Sequence, residues 1–382
     1  MKRLSLICLL SFSLVIAYAE EITGDADTLE VSSRKEDFFH RIGSTFTKYF
    51  RDFNKTDTTY IEPQHYNYAL MLQNTNTYEM YRVTSKSGQS FLFAPKPTYR
   101  IGPYFGWRWI FLGYTFDVSH LGDKDNKQEW DISLYSNLVS VDLYYRKTGD
   151  DYKIRDVDFP DNSVNTRALK GVPFDGLNVG ITGIDVYYVA NHKRFSYPAA
   201  FSQSTVQRRS CGSTLYGIGY TRHSIDLDFN RLQEVVNENL PEAKSYPDVV
   251  KLDSGLMFNK VRYTNISVSG GYAYNWVFAH NWLLSGSMSL ALGYKRATGD
   301  LRRDELTILR DFSFRNVVLD AAGRMGVVWN DTKWFAGMSA ILHSYNYRKR
   351  QFSTNNSFGS INFYVGFNFN SKRGYVPPKK ER

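Results

Sequence analysis

The residues best suited to acid–base chemistry are histidines and carboxylates near the predicted ends of extended segments. His223 is followed directly by Ser224, and Asp226 and Asp228 come shortly after. A serine nucleophile needs a base within hydrogen-bond reach. Adjacent residues of a strand point to opposite faces, so His223 is badly placed to activate Ser224. His223 and His120 are therefore weak candidate bases for a hydrolase, and no catalytic residue is assigned.

A larger set of ionisable residues shares one property, because each falls on the small or polar side of a strand of alternating character. Successive side chains of a strand point to opposite faces. If the apolar side meets lipid, the other side lines a lumen. The predicted lumen residues, which are candidate binding residues, are Asp117, Asp131, Asp142, Arg146, Asp185, Asp320, Arg324 and His343. An inward Asp185 requires a β-bulge near Gly183, where the alternation of segment 176–189 changes phase.

Two interpretations of these lumen residues stay open. Acids and bases of mixed sign can pair across a narrow barrel and fill it, with Asp142 and Asp320 set against Arg146 and Arg324. Alternatively, the same residues line a selective pore or a small-ligand site. We favour the filled interior, because aromatic residues share the inward side. They are Tyr135, Tyr144 and Tyr364.

Motifs for other chemistries are absent from the sequence. It contains no HExxH, CxxC or GxxxxGK[ST] pattern. Gly217-Ile218-Gly219 lacks the third glycine of a dinucleotide loop and opens no helix, so these glycines are better explained as relief of crowding in a curved strand. The sequence therefore predicts no cofactor and no metal site.

The elements that position the lumen residues are strands that alternate apolar residues with small or polar ones. Leu290 and Val365 fall on the apolar side of their strands, whereas Ser289 and Tyr364 fall on the other side. A soluble sandwich would turn the apolar side inward, and a membrane barrel would turn it toward lipid. Twelve strands are predicted, at 66–82, 89–107, 109–119, 129–136, 139–147, 176–189, 204–227, 256–278, 281–296, 311–329, 332–347 and 357–369.

The connections between these strands favour the membrane barrel. Tight turns near 108, 137–138, 279–281 and 330–331 alternate with longer polar links, although the 190–203 link is long where a short turn is expected. Outer-membrane barrels have short periplasmic turns and long outer loops. The sequence therefore predicts an all-β, antiparallel, up-and-down transmembrane β-barrel of about twelve strands.

The chain begins with an export signal. Lys2 and Arg3 precede an apolar run, Leu4 to Val15, that is too short to span a bilayer, and Ala17-Tyr18-Ala19 is a cleavage motif. The predicted domains are a signal peptide at 1–19, a periplasmic segment at 20–60 with an amphipathic helix at 33–53, a β-barrel at 61–370 and a basic tail at 371–382.

Composition agrees with an exported barrel. Only Cys211 remains after residue 19, so an internal disulfide is excluded. Aromatic residues make up 16% of the chain, which suits the girdles at membrane interfaces. The net charge of +9 is scattered along the sequence, so no nucleic-acid partner is predicted. The expected partner is outer-membrane lipid, with lipopolysaccharide or envelope proteins as further candidates.

Two blocks of sequence are more specific than periodicity. One begins with Asp57-Thr58-Thr59-Tyr60-Ile61-Glu62-Pro63, and the other contains Gly102-Pro103-Tyr104-Phe105-Gly106-Trp107. Over nearly the whole mature chain the sequence resembles the Bacteroidetes family called domain of unknown function 4421. The resemblance implies a cell-envelope or outer-membrane β-barrel and supplies no catalytic residues.

The resulting hypothesis is an exported barrel in the outer membrane of a Gram-negative cell. Its predicted role is a plugged or narrow barrel that acts as an envelope scaffold, small-ligand binder or pore. The alternative is an outer-membrane hydrolase that acts on lipid or peptide at the outer rim.

Overall fold

The computed structural model describes residues 56–107, 110–118, 128–148, 151–160, 164–240, 251–257, 260–297, 314–349 and 351–373. Within this part of the chain, strands dominate. They are β1 (Ile61–Pro63), β2 (Tyr66–Ser85), β3 (Ser90–Ala94), β4 (Thr98–Trp107), β5 (Ile110–Gly113), β6 (Phe116–Asp117), β7 (Gln128–Tyr135), β8 (Val139–Lys147), β9 (Lys153–Asp158), β10 (Leu177–Val189), β11 (Thr205–Gln207), β12 (Cys211–Leu227), β13 (Lys260–Ala279), β14 (Trp282–Ala297), β15 (Val317–Asn330), β16 (Trp334–Arg348) and β17 (Phe352–Ser371).

Helical structure in the described residues is short. The α-helices are α1 (Pro198–Phe201) and α2 (Phe229–Asn239), and single 3-10 turns occupy Thr166–Leu169, Ser254–Leu256 and Phe314–Asn316. Among the described residues, no helix has the length and apolarity needed to cross a membrane.

Fifteen of the described strands form one curled antiparallel sheet, and β1 and β11 pair as a separate two-stranded sheet. Hydrogen bonds join them in the order β5-β4-β2-β17-β16-β15-β14-β13-β12-β10-β8-β7, a path of twelve strands. The path corresponds to the twelve predicted segments with four differences, the first of which is that the segment 109–119 divides into β5 and β6. The segment 89–107 divides into β3 and β4, the segment 204–227 divides into β11 and β12, and β9 lies inside a predicted polar link.

The outward face of the sheet is apolar. Leu290 and Val365 are about half exposed, whereas Ser289 and Tyr364 are buried, as predicted. Trp107, Trp276, Trp282 and Trp334 stand exposed near one end of the strands, like an interfacial girdle. A soluble monomer rarely exposes so large an apolar surface. The chain is therefore a transmembrane β-barrel, and the prediction from alternation is confirmed.

The predicted bulge near Gly183 is wrong. Strand β10 pairs without a register shift with both β8 and β12, and its burial alternates regularly from Leu177 to Val189. Asp185 faces inward on that regular alternation. The apparent phase change arises because Leu177, Val179 and Ile181 also face inward, where the interior is apolar.

The two ends of the barrel differ. One end carries the first and last barrel residues, Tyr66 and Ser371, and tight turns such as the one between β13 and β14; we call it the termini end. The opposite end, the loop end, carries α2 and the long links. Asp228 caps α2 by accepting a hydrogen bond from the Arg231 backbone N–H at 3.0 Å. A hydrogen bond from the Arg231 guanidinium lowers the pKa of Asp175 and ties α2 to the preceding link.

Beneath α2 lies an apolar cluster that we call the outer core. It closes the loop end with buried side chains from β3, β9, α2 and the links between them. These residues are Phe91, Phe93, Ile154, Val157, Phe174, Leu232, Val235, Val236, Leu252 and Leu256. Because apolar burial is the main source of folding free energy, the outer core holds the long links against the barrel.

At the termini end, the chain between β10 and β11 folds into the barrel and explains why the 190–203 link is long. We call residues 195–203 the inner plug. Phe195, Tyr197, Ala199 and Ala200 are almost fully buried. The Asn275 side-chain amide donates to the Ser196 carbonyl at 2.8 Å, which anchors the plug to β13.

The hydrogen-bonded path has two edges. Among the described residues, β5 and β6 pair only with β4, and β7 pairs only with β8. We call the gap between β4–β6 and β7 the seam. Unpaired strand edges are costly in hydrocarbon, and residues 119–127, which connect β6 to β7, lie outside the described part of the chain.

Several predicted features lie outside the described residues. They are the signal peptide at 1–19, the amphipathic helix at 33–53, His120, and most of the basic tail at 371–382.

Candidate functional site

The inward faces of the strands bring seven charged side chains together in what we call the interior polar layer. Its members are Glu79, Asp142, Arg146, Asp185, Lys295, Asp320 and Arg324, and each is at most 8% exposed. A buried charge is tolerated only where it is paired and hydrogen-bonded. The arrangement of pairs therefore decides whether this layer seals the barrel.

Two pairs cross between strands that are not neighbours. Arg324 of β15 forms an ion pair with Asp142 of β8, and Asp142 also accepts a hydrogen bond from the Ser133 hydroxyl at 2.7 Å. Arg146 of β8 lies 3.2 Å from the Glu79 carboxylate of β2, between Nη1 and Oε1. Both pairs bridge the interior of the barrel, so they occupy the path that a pore would need.

The third pair lies between adjacent strands near the loop end. Lys295 Nζ is 2.8 Å from Asp320 Oδ1. The other Asp320 oxygen accepts from the Asn265 amide at 3.1 Å, and the Asn346 backbone N–H donates to Oδ1 at 2.9 Å. The sequence set Asp142 and Asp320 as a group against Arg146 and Arg324. In the structure Arg324 pairs with Asp142, and the partner of Asp320 is Lys295, which is not in that set.

Asp185 is held by tyrosines. Its Oδ2 accepts hydrogen bonds from Tyr144 at 3.1 Å and from Tyr345 at 3.4 Å. Glycines make room for this group: a Cβ on Gly183 would lie 2.3 Å from the Tyr144 ring, and one on Gly219 would lie 2.3 Å from the Asp185 carboxylate. The glycines thus create interior space rather than a bulge.

The two inward histidines are packed against aromatic rings. His223 is fully buried, stacks on Tyr263 with ring centroids 4.5 Å apart, and contacts the Thr221 hydroxyl at 3.0 Å through Nε2. His343 stacks on Phe358 with centroids 5.2 Å apart. His223 is therefore closed to a substrate in this structure, and Ser224 lies on the opposite side of β12.

The remaining predicted lumen residues lie near the seam. Asp117 pairs in register with Arg100 in the β4–β6 ladder and is partly exposed. Asp131 pairs in register with Tyr144 in the β7–β8 ladder. Asp117 does not belong to the group of seven that forms the interior polar layer, and the side chain of Asp131 lies outside the described part of the structure.

The sequence interpretation missed Glu79, Lys295 and the inner plug. Glu79 is the only acid in β2, and Lys295 ends a run of small inward residues in β14; each lies on the inward alternation of its strand. Counting every charge on that alternation would have found both. The plug has no such signal, because it is built from an irregular link.

The inner plug contacts the interior polar layer from the termini end. Tyr197 lies 5.9 Å from the Arg324 guanidinium, measured from ring centroid to Cζ, and Tyr187 lies 4.8 Å from it. Gln203 donates to the Tyr364 hydroxyl at 2.8 Å, which fixes the end of the plug on β17. Plug, polar layer and outer core together occupy much of the interior between the termini end and the loop end.

Beside the plug, at the seam, a cavity of about 430 Å³ remains. We call it the lateral cavity. Its inner wall carries polar side chains of β2, β16 and β17, and its other side reaches Trp130 and Ile132 of β7. Among the described residues, no cluster of three or more His, Cys, Asp or Glu side chains is placed to hold a metal ion.

The strand path, the apolar outward face and the filled interior define a transmembrane β-barrel. The chain belongs to the family described as Domain of unknown function (DUF4421), whose model matches residues 55–369. This assignment agrees with the resemblance seen in the sequence. A search of curated proteins finds no match.

Solved structures similar to this chain include outer-membrane barrels. The outer membrane protease OmpT from Escherichia coli is 6% identical with a TM-score of 0.31, over 79% of this chain and 97% of that one. The translocator domain of autotransporter NalP from Neisseria meningitidis is 8% identical with a TM-score of 0.27, over 88% and 97%. OprG from Pseudomonas aeruginosa is 8% identical with a TM-score of 0.23, over 81% and 99%. Scores this low carry no information about activity.

Proposed function

We propose that this protein is a sealed barrel of the Gram-negative outer membrane, which acts as an envelope scaffold and small-ligand binder rather than as a pore. The observation that carries the proposal is the pair of charge bridges across the interior, Arg324 with Asp142 and Arg146 with Glu79. A pore lining needs solvated charges, whereas these four side chains are buried.

The orientation of the barrel in the membrane follows from the difference between its tight turns and its long links. Both barrel termini and most of the tight turns share one end, which suits the periplasmic side. The long links with α2 share the other end, together with the three-residue β16–β17 turn, and this end suits the cell surface. The predicted signal peptide at 1–19, which would export the chain, supports this assignment.

Conductance in a planar lipid bilayer tests the sealed barrel. We expect no steady conductance steps from wild-type protein whose insertion is verified by its heat-modifiable mobility on gels. The matched variant is Asp320→Ala, which opens one charge pair. If wild type conducts, and this variant shifts the reversal potential while its melting curve is unchanged, the charges line a pore and the proposal is wrong.

A further inference from the structure

We propose that the lateral cavity is a binding site for an uncharged, single-chain amphiphile that enters from the bilayer through the seam. The cavity lies beside the sealed interior, so this inference does not depend on whether the barrel conducts.

The size of the cavity fits one small molecule. Its volume of about 430 Å³ lies within the range of roughly 300–1,000 Å³ that is typical of small-molecule sites. Phe201 to Gln203 of the inner plug form its floor, and Tyr364 stands beside them. The plug therefore separates the cavity from the termini end.

The mouth of the cavity faces the membrane. Trp130 and Ile132 line it although they belong to the outward, apolar face of β7, where they are 64% and 48% exposed. Among the described residues no hydrogen-bonded ladder joins β4–β6 to β7, so at the seam a residue of β7 can line both the cavity and the outer surface. A ligand can thus pass from the hydrocarbon into the cavity without crossing the interior polar layer.

The inner wall of the cavity is built to hydrogen-bond. Gln73, Thr75, Ser360 and Asn362 are only partly buried on the inward faces of β2 and β17, and all four line the cavity. Gln73 Nε2 donates to the Thr75 hydroxyl at 2.9 Å and to Asn362 Oδ1 at 3.3 Å, which holds these groups in one patch. A polar wall behind an apolar mouth matches a molecule with a polar head and a hydrocarbon tail.

The head group should be uncharged. The charges nearest the inner end of the cavity are already matched, since Asp142 is paired with Arg324 and Arg146 with Glu79. Arg100, which lines the cavity, stands opposite Asp117 in the β4–β6 ladder. Bringing in another charge would cost desolvation energy without a partner, whereas hydroxyl groups can use the amides and hydroxyls of the wall.

Native mass spectrometry of the full protein released from detergent micelles tests the site with three probes: 1-monolauroylglycerol, the laurate anion and dodecane. We expect one retained molecule of monolauroylglycerol and weaker retention of the other two. Thr75→Trp should fill the cavity and abolish retention. Leu290→Trp, on the lipid-facing side of β14, is the matched control and should retain the probe as wild type does.

A second variant separates recognition from folding. Gln73→Leu keeps the side-chain size and removes the amide. The affinity for monolauroylglycerol should therefore fall by up to about tenfold, while the affinity for dodecane should stay unchanged. If Thr75→Trp fails to give the heat-modifiable folded form, Ser360→Phe fills the same cavity from β17. Equal retention by wild type and cavity-filling variants, or equal loss in Leu290→Trp, would show lipid bound around the barrel and overturn the site. Tighter retention of laurate would overturn the uncharged head group.

Discussion

In the outer core, Phe93 and Phe174 stack with ring centroids 5.1 Å apart and need no particular partner beyond apolar contact. In the interior polar layer, six of the seven residues form three specific ion pairs, as Lys295 does with Asp320, and Asp185 is held by tyrosine hydroxyls. Both regions are buried, but the outer core depends on packed volume whereas the polar layer depends on matched charge. The barrel is therefore closed at its loop end by apolar packing and in its middle by ion pairs.

The largest expected effect comes from breaking one charge pair. Asp320→Ala leaves Lys295 buried without its carboxylate, which should lower the free energy of unfolding by about 3–5 kcal/mol. Replacing both partners, as Asp320→Leu with Lys295→Met, should recover most of that loss because no unpaired charge remains. Urea unfolding of protein refolded into lipid vesicles measures both variants.

The outer core supplies the control for that experiment. Leu232→Ala should cost about 2–5 kcal/mol, and a second truncation beside it should never restore stability, since each one enlarges the cavity. Rescue by a second truncation in the outer core, or its absence in the Asp320 and Lys295 pair, would contradict the distinction between packing and pairing.

The next effect compares the two faces of the wall. Leu290→Arg places a charge toward lipid at mid-strand and should destabilise the barrel by about 2–4 kcal/mol. Asn362→Arg, also at mid-strand but on the polar wall of the lateral cavity, should cost clearly less because the amides and hydroxyls of that wall can hydrogen-bond its guanidinium, although desolvation still carries a cost. The same vesicle unfolding assay compares them, and equal penalties would mean that the polar wall cannot accommodate the guanidinium or that β17 is turned around.

A smaller effect on stability should distinguish the substitution of an inward glycine from that of an outward one. Gly183→Ala pushes a Cβ into the Tyr144 ring and disturbs the tyrosines that hold Asp185, so overpacking should cost about 1–3 kcal/mol. A Cβ added to Gly270 would meet no neighbouring heavy atom within 4 Å, so Gly270→Ala should be nearly neutral. Melting temperatures of the two variants in one detergent decide the comparison; a neutral Gly183→Ala would mean that Tyr144 can move freely.

Strand alternation predicted much of this fold, because a barrel imposes the same two-sided environment on every strand. Alternation placed Leu290 outward and Tyr364 inward, as observed. It also predicted twelve strands, which is the number in the hydrogen-bonded path. It failed in β10, where Leu177 and Val179 are apolar yet inward. The rule assumes a polar lumen, and the outer core replaces that lumen with apolar packing near the loop end.

The candidate site was less predictable than the fold. Alternation identifies which charges face inward, but the partner of each depends on which strands lie across the barrel. Asp142 and Arg324 lie 182 residues apart in sequence, and nothing local specifies their contact. The lateral cavity depends on the end of the hydrogen-bonded path and on the plug, neither of which has a periodic signal.

The smallest effect concerns the loop end, where a single carboxylate links two connections. Asp253 accepts hydrogen bonds from the Gly255 backbone N–H at 2.7 Å and the Ser87 backbone N–H at 3.2 Å, and its own N–H donates to the Gln89 side chain at 2.7 Å. Hydrogen bonding from Ser87 is the main cause that lowers the pKa of Asp253 from 3.8 to about 2.

Because the folded pKa is depressed, this contribution to stability is present above pH 3.8 and is lost as the pH falls through about 2. We expect the hydrogen-exchange protection factors of the Ser87 and Gly255 amides to drop across that window, while the Ser269 amide of β13 keeps its protection. In Asp253→Asn, which retains one acceptor oxygen but cannot ionise, protection at Ser87 and Gly255 should be lower at neutral pH and should not change across the window. An equal drop in the variant would show that another group controls the docking of these connections, and that the outer rim is held by the outer core alone.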